Sequence, residues 1–394
     1  MTACSAVEPI DFSQAGRVPA IGDNVAIAIR TLPAGTRLLL RQLVFEFGHT
    51  VLEGHRFAIF RIRKGEPLLS WGLPFGVALR DIEPGEYVCN EKILHALSER
   101  HVPFALPGSP NFLDDRLPIQ LHEAAFQPGK QPRHSGAAPT FRGFPRGGGR
   151  GAGTRNYVVV IGTSSRTGAF PREVAAGFQE VRREFPNVDG VVAVAHTEGG
   201  GENPPLNGAM TLRTLAGFIG HPNVGAVLCV DYGNEAINNQ LLASSLPRET
   251  PPCEFLSIRD SFSEARTQAA RQIREWLPRV NEARREDLPG SLLKVALQCG
   301  GSDAFSGVSS NPLLGLLARE VVAWGGMANL AETSELIGAE SYILRNVRDF
   351  ETARAFLAMT ERFQRWAGWH GHSAEGNNSG GNMYRGLYNI SIKS

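Results

Sequence analysis

The sequence has almost no excess of charge of either sign. Forty basic side chains face thirty-nine acidic ones, a formal net charge of +1. A nucleic-acid binder needs a basic excess or stripe to meet phosphates, and neither is present, so nucleic acid is not an expected partner. Long apolar runs are also missing. No stretch reaches the roughly 18 consecutive apolar residues that a membrane-crossing helix requires, so no membrane is expected either. The opening MTACSAVEPIDFSQ lacks a basic start leading into an apolar stretch, and is not expected to act as a signal peptide. Cysteine is scarce: Cys4, Cys89, Cys229, Cys253 and Cys299, an odd number with no CxxC spacing. This argues against a disulfide framework and a zinc knuckle, and points to a reduced, cytoplasmic protein. No GxxxxGK[ST] segment occurs. The glycine-rich run at 147–153 precedes an apolar run instead of following one, so it does not meet the dinucleotide fingerprint.

The composition that remains is that of an ordered globular chain, 42% hydrophobic and 20% charged over 394 residues, enough for two or three domains. Residues 1–98 hold short apolar stretches (VAIAI, RLLL, FAIFRI, GVALRDI, EYV) separated by Pro33-Ala34-Gly35, Arg63-Lys64-Gly65-Glu66 and Glu83-Pro84-Gly85-Glu86. Short strands at this spacing predict a small all-β domain. FRIRKGEPLL and LRDIEPGEYV echo each other as strand, Gly-Glu turn, strand. In residues 99–153 proline recurs, and the segment ends in FRGFPRGGGRGAG, which predicts a linker or wrapping strap. Its arginines, with Arg155 just beyond, are either a solvated strap or a forked clamp for carboxylates.

From Asn156 onward a unit recurs. NYVVVIG, GVVAVAH, GAVLCVDYG, LKVALQC and GGMANLA each end in a polar, glycine-bearing loop, with helix-like stretches such as 172–184, 206–219, 261–277, 313–324 and 347–366 between them. This alternation predicts an α/β main body with a mainly parallel sheet, divided at 154–288 and 289–394. In such sheets ligands sit beyond the carboxyl ends of the strands, so the loops are where chemistry is expected.

Those loops carry suitable groups. His196, Glu198 and Glu202 lie among three glycines and could ligate a divalent metal or act as acid and base. His221-Pro222 reads as a turn. Asp231 or Glu235 could point into the same cleft, or Glu235 could start a helix. In LQCGGSDAFSG, Cys299 could be a nucleophile, a thiolate ligand or a buried filler, while Ser302 and Asp303 could cap a helix or help bind an anion. Glu332 directly follows an apolar run, which favours it for chemistry over the cap-like Thr333-Ser334-Glu335. His370, His372, Glu375, Asn377 and Asn382 stand in a glycine-rich stretch with enough amide, imidazole and carboxylate groups to serve a hydroxyl-rich ligand.

GTRNY at 153–157, HPNV at 221–224, LQCGGSDAFSG followed by NPLLG, and AETSELIGAE at 331–340 resemble the altronate/galactarate dehydratase family. The leading β section is similar to that family's SAF-type, β-clip-like domain, so the resemblance covers nearly the whole chain. It implies a hydro-lyase that removes water from a sugar acid such as altronate or galactarate to give a 2-keto-3-deoxy acid, supported by a divalent metal (Fe(II), Mn or Mg). A related branch acts on sulfolactate, and a catalytically silent binding homologue is the remaining alternative. On this reading His196, Glu198, Asp303, Glu332 and His372 would be catalytic. Arg155, Asn156, Ser302, Asn377 and Asn382 would bind substrate, and His196, Glu202, His370 and Glu375 would hold the metal. The partner expected is a small-molecule sugar acid, with self-association into a homo-oligomer. Three departures stand out: Tyr87-Val88-Cys89-Asn90 replaces the family's histidine pair, Gly200 and Asn234 stand where cysteines are usual, and the late lysine is absent. YNISIKS resembles the start of a passage that continues in the family.

Overall fold

Three turns in the N-terminal β section share one geometry. Gly35, Gly65 and Gly85 have φ of +81°, +84° and +88°. In each, the glycine N–H donates to a neighbouring strand's carbonyl (Phe47, Ala78 and Ala58), and the next residue's N–H closes a tight turn. Only glycine enters this left-handed region without penalty, which is why the echo in the sequence is an echo in the backbone. We describe a computed structural model in which residues 8–114, 119, 121–134, 136–298, 300–373 and 379–389 are placed.

The chain divides into two compact units. One holds the residues before His134 together with Lys294–Ala323 and the chain from Ala328 onward; the other holds His134–Leu293 and Trp324–Met327. In the first unit, short strands including Val25–Ala28, Arg56–Ala58 and Leu73–Ala78 enclose a core of Val25, Leu38, Phe45, Phe47, Phe57, Leu68 and Phe75. Strand Phe112–Asp114 pairs with Leu73–Ala78, so the β section continues past residue 98 into the segment expected to be a linker. Leu387 and Tyr388, nearly three hundred residues further on, belong to the same core.

In the second unit, β1 (Tyr157–Gly162), β2 (Gly190–Val194), β3 (Val224–Asp231) and β4 (Cys253–Ser257) form a parallel sheet in the order β2-β1-β3-β4. The run Val158 to Ile161 alternates between two cores. Val158 and Val160 pack with Phe170, Val174, Ile273 and Leu277 on one face, while Val159 and Ile161 pack with Leu215, Ile219 and Leu242 on the other. A strand covered on both faces needs a continuous apolar run, as this one has.

Two expectations are corrected here. The fourth and fifth repeats do not extend this sheet: β5 (Lys294–Leu297) and β6 (Met327–Leu330) pair with each other, aligned in the same direction by Met327 N–H to Leu293 and Ala331 N–H to Leu297. The strap also has structure, since Thr140–Arg146 pairs antiparallel with Gly151–Gly153 and with Glu286–Pro289. Its arginines do not form a carboxylate clamp at the candidate site. Arg146 donates to the Pro222 carbonyl at 2.7 Å and to Asn156 Oδ1 at 2.8 Å, and Arg150 donates to the carbonyls of His221 and Val224 at 2.8 Å. Arg142 has only an exposed 3.7 Å pairing with Asp287, worth little. Burial pushes the Arg146 guanidinium down to about 10.

Candidate functional site

The carboxyl ends of β1, β2 and β3 lie side by side, and β1 and β3 flank the point where successive connections leave in opposite directions. Such a switch point leaves a crevice between diverging loops. The loops are 163–167, 195–203 and 232–238. Deep in them, Glu235 is buried at 2% exposure. Its carboxylate accepts from the N–H groups of Tyr232 (3.0 and 3.1 Å) and Asn234 (3.1 Å) and from the Ser164 hydroxyl at 3.3 Å. Asp231 accepts from Asn239 N–H at 2.8 Å and from the Ser257 hydroxyl at 2.6 Å. Both carboxylates organise loops: each offsets the cost of its own burial by satisfying backbone donors.

His196 is held in the same way. The Glu198 N–H donates to Nδ1 at 3.2 Å, and Nε2 meets the Gly162 carbonyl at 3.1 Å. Only a neutral ring with its proton on Nε2 satisfies both. The imidazole ties the β2 loop to the end of β1, and neither nitrogen is left for a metal or a proton transfer. The expected role of His196 in chemistry thus meets a ring already held by backbone on both sides.

More available groups sit above. Half-buried Glu198 accepts one hydrogen bond, from Asn207 to Oε2 at 3.0 Å. Exposed Arg166 donates to Asn234 Oδ1 at 2.9 Å, lies 5.5 Å from the centre of the Tyr232 ring, and has no carboxylate partner among the described residues. The loops touch because residue 200 has no side chain: a Cβ there would fall 2.2 Å from Ser165 Oγ. Buried Thr163 Oγ1 has no hydrogen-bond partner among the described residues. Arg166 and Ser164 were missed by sequence reasoning, although TSSRT follows an apolar strand just as the other loops do.

The remaining expected residues fall elsewhere. Arg155 and Asn156 stand at the start of β1, whose six residues span roughly 20 Å, so they occupy the wrong end of the strand. Asn156 is fully buried and its amide is engaged by Arg146, Asn187 and Val280, which corrects its assignment to substrate. In the first unit, Asp303 Oδ1 accepts from Ser306 N–H at 2.8 Å, the capping alternative. Asn382 donates to the Ser302 carbonyl at 2.7 Å and accepts from Ser379, thereby capping helix Gly380–Tyr384. Ser302, Asp303 and Asn382 are thus brought together as a folded turn. Glu332 has left-handed backbone (φ 57°) and accepts from Gln298 at 3.4 Å. It lines a cavity of about 950 Å³ at the ends of β5 and β6, whose walls, including Leu314, Leu330, Ile343 and Phe356, are mostly apolar. Polar side chains, Gln298, Asn311, Asn329 and Thr352 among them, line it as well. His370 and His372 are exposed at the end of helix Phe350–Trp369, His370 against Trp366.

Glu375, Asn377 and Cys299 lie outside the described residues. Of the other expected metal ligands, His196 and Glu202 belong to the second unit and His370 to the first. Among the described residues, no three His, Cys, Asp or Glu side chains gather into a metal-holding group. Both His196 nitrogens are hydrogen-bonded to backbone, so His196 and its described neighbours do not assemble a metal-holding group. No helix of the described residues is long and apolar enough to cross a membrane.

Where the resemblance leads one to expect a histidine pair, a histidine arrives from another strand. Tyr87 meets His55 Nδ1 at 2.6 Å, and His55 Nε2 meets the Tyr384 carbonyl at 2.8 Å. Beside it, Arg56 is completely buried. A Gly-His-Arg opening an apolar strand was the available signal for this pair.

Known proteins share this architecture in the same order. The altronate/galactarate dehydratase SAF domain matches residues 20–96, the D-galactarate dehydratase/altronate hydrolase second domain matches 143–281, and the D-galactarate/altronate dehydratase C-terminal domain matches 290–394. Altronate dehydratase of Escherichia coli is 29% identical over 94% of this chain and 71% of its own length. Altronate dehydratase of Bacillus subtilis is 27% identical over 94% of this chain and 70% of its own. The (2R)-sulfolactate sulfo-lyase subunit beta of Chromohalobacter salexigens is 29% identical over 65% of this chain and 63% of its own. Three consecutive domain matches and relatives aligned over 94% of the chain, together with a β section leading into an α/β body, lead to one conclusion: this chain belongs to the altronate/galactarate dehydratase family.

Proposed function

We propose that this chain is a hydro-lyase that removes water from a sugar acid such as altronate or galactarate, giving a 2-keto-3-deoxy acid. The observation that carries the reading is that Arg166 and Glu198 stand on adjoining loops, hydrogen-bonded to each other through backbone, at the carboxyl edge of the parallel sheet. Ser165 N–H donates to the Glu198 carbonyl at 2.8 Å, so the two side chains spring from backbone that is hydrogen-bonded together. Arg166 suits the substrate carboxylate, because its planar fork matches a carboxylate's two oxygens. Held there, the acid presents the C–H next to its carboxylate to Glu198. The base takes that proton, the electron pair of the C–H bond passes into an enediolate, and the adjacent C–OH bond breaks with release of water once its oxygen is protonated. The resulting enol becomes the ketone.

The test is an NMR assay of altronate, galactarate and sulfolactate with the full chain, before and after dialysis against a chelator and readdition of Fe(II), Mn or Mg. Glu198→Gln should lower kcat by roughly 100-fold or more with KM little changed, as expected for loss of a positioned base. Arg166→Met should instead raise KM. Turnover of none of these acids, or unchanged kcat in Glu198→Gln, would remove the proposal. Selective release of sulfite from sulfolactate would move the substrate to the sulfo-acid branch. A binding homologue without turnover is the second reading, favoured by the engaged His196.

A further inference from the structure

Arg56 has an unusual environment for a cation. It is fully buried, yet Nε and Nη2 have no hydrogen-bond partner among the described residues. Nη1 reaches the Gly386 carbonyl only at 3.3 Å. Asp23, whose charge acts on it from a distance, spends its oxygens on the N–H groups of Ala20, Trp71 and Gly72. The rings of Phe75 and Tyr388 stand 5.5 and 5.6 Å from the guanidinium carbon and offset part of the cost by cation–π attraction. Burial still pushes the group down to about 10. A buried cation short of partners costs more than an apolar side chain of similar volume, so stability does not account for it.

The cover over this cation is a separate stretch of chain. Residues 384–389 lie across Gly54-His55-Arg56, and two glycines meet backbone to backbone. A Cβ on Gly386 would fall 2.2 Å from the Gly54 carbonyl oxygen, and one on Gly54 would fall 2.8 Å from that of Arg385. The cover supplies two carbonyl oxygens, Tyr384 O to His55 Nε2 and Gly386 O to Arg56 Nη1. Two oxygens, one meeting an imidazole N–H and one a guanidinium N–H, are what a carboxylate would present to the same pair.

We propose that His55 and Arg56 form a binding site for the carboxylate of a small organic acid, closed in this structure by residues 384–389, whose carbonyls stand in for the acid's oxygens. When the segment lifts, the acid replaces two neutral carbonyls, one of them at 3.3 Å from Arg56, with a charged, forked partner, and the unpaired Nε and Nη2 gain acceptors. That the acid is a sugar acid rests on the function proposed above; the site itself does not.

Calorimetric titration of the full chain with galactarate, acetate and the uncharged galactitol tests this, alongside backbone hydrogen exchange at 386–389. The expected result is binding of the acids but not of galactitol, with faster exchange at 386–389 when an acid is bound. Arg56→Met should weaken acid binding at least roughly tenfold without lowering the melting temperature of the unliganded protein. Arg56→Lys, which keeps the charge and loses the fork, should also bind more weakly and decides the matter should the methionine variant not fold. Absence of acid binding, equal binding of galactitol, unchanged affinity in both variants, or slower or unchanged exchange at 386–389 overturns the proposal. Arg56-dependent binding without turnover would sink the dehydratase reading and leave this site standing.

Discussion

Acidification should unfasten the N-terminal β section through one side chain. His55 is buried at 0% exposure and uses both ring nitrogens: Nε2–H donates to the Tyr384 carbonyl, so Nδ1 must accept from the Tyr87 hydroxyl. Tyr87 is in turn hydrogen-bonded to Tyr388, which accepts the Arg56 N–H at 2.8 Å. The groups facing His55 are thus two neutral phenols, a carbonyl and the Arg56 cation, and none favours an imidazolium. Burial first, and the Arg56 charge in addition, outweigh the Tyr384 bond and hold the imidazole down at about 4. The unfolded value is near 6.5, so the unfolded chain binds the proton first as pH falls. Stability from this group is therefore complete above about pH 6.5, declines below it, and is lost once pH passes below about 4. The interval of roughly two and a half units is worth about 3 kcal/mol. Urea unfolding at several pH values between 7 and 4 reads the slope, and NMR of the His55 ring reads its titration directly. In His55→Gln, whose amide can accept from Tyr87 and donate to Tyr384 without titrating, the slope between pH 6.5 and 4 should fall by the share of one proton. A folded-state imidazole that titrates near 6.5, or an identical slope in the variant, would refute the reasoning.

Two further outcomes follow from packing. Gly386→Ala places a side chain at φ +81° against the Gly54 carbonyl, so it should loosen residues 384–389 at a cost of about 1–3 kcal/mol, read as faster proteolysis there. Glu235→Ala strands the N–H groups of Tyr232 and Asn234 and the Ser164 hydroxyl, and should cost about 2–3 kcal/mol in urea unfolding.

How far the site was legible depends on which residues carried the signal. The NYVVVIG run announces a strand covered on both faces, and the polar loop behind it announces a crevice, because apolar patterning is local. What those loop residues bond to is not local. His196 looks like a ligand in the sequence, but only the Gly162 carbonyl, thirty-four residues away, turns it into a loop tie. Asn156 looks like a substrate amide until Arg146, Asn187 and Val280 converge on it. Strand β4 escaped notice because CEFLS sits at the sheet edge, with Glu254 and Phe255 exposed, and so lacks a full apolar run.

Composition and periodicity determined by themselves the β section followed by an α/β body and the position of polar loops after apolar strands. These follow from burial, which each stretch of chain satisfies with its own side chains. Only the tertiary structure decided that LKVALQC and GGMANLA pair apart from the four-stranded sheet, and that the 384–389 segment returns to close over His55 and Arg56. Pairings of that kind are set by which surfaces complement each other across hundreds of residues, and a hydrogen bond between Arg56 and Tyr388 leaves no trace in the spacing of either.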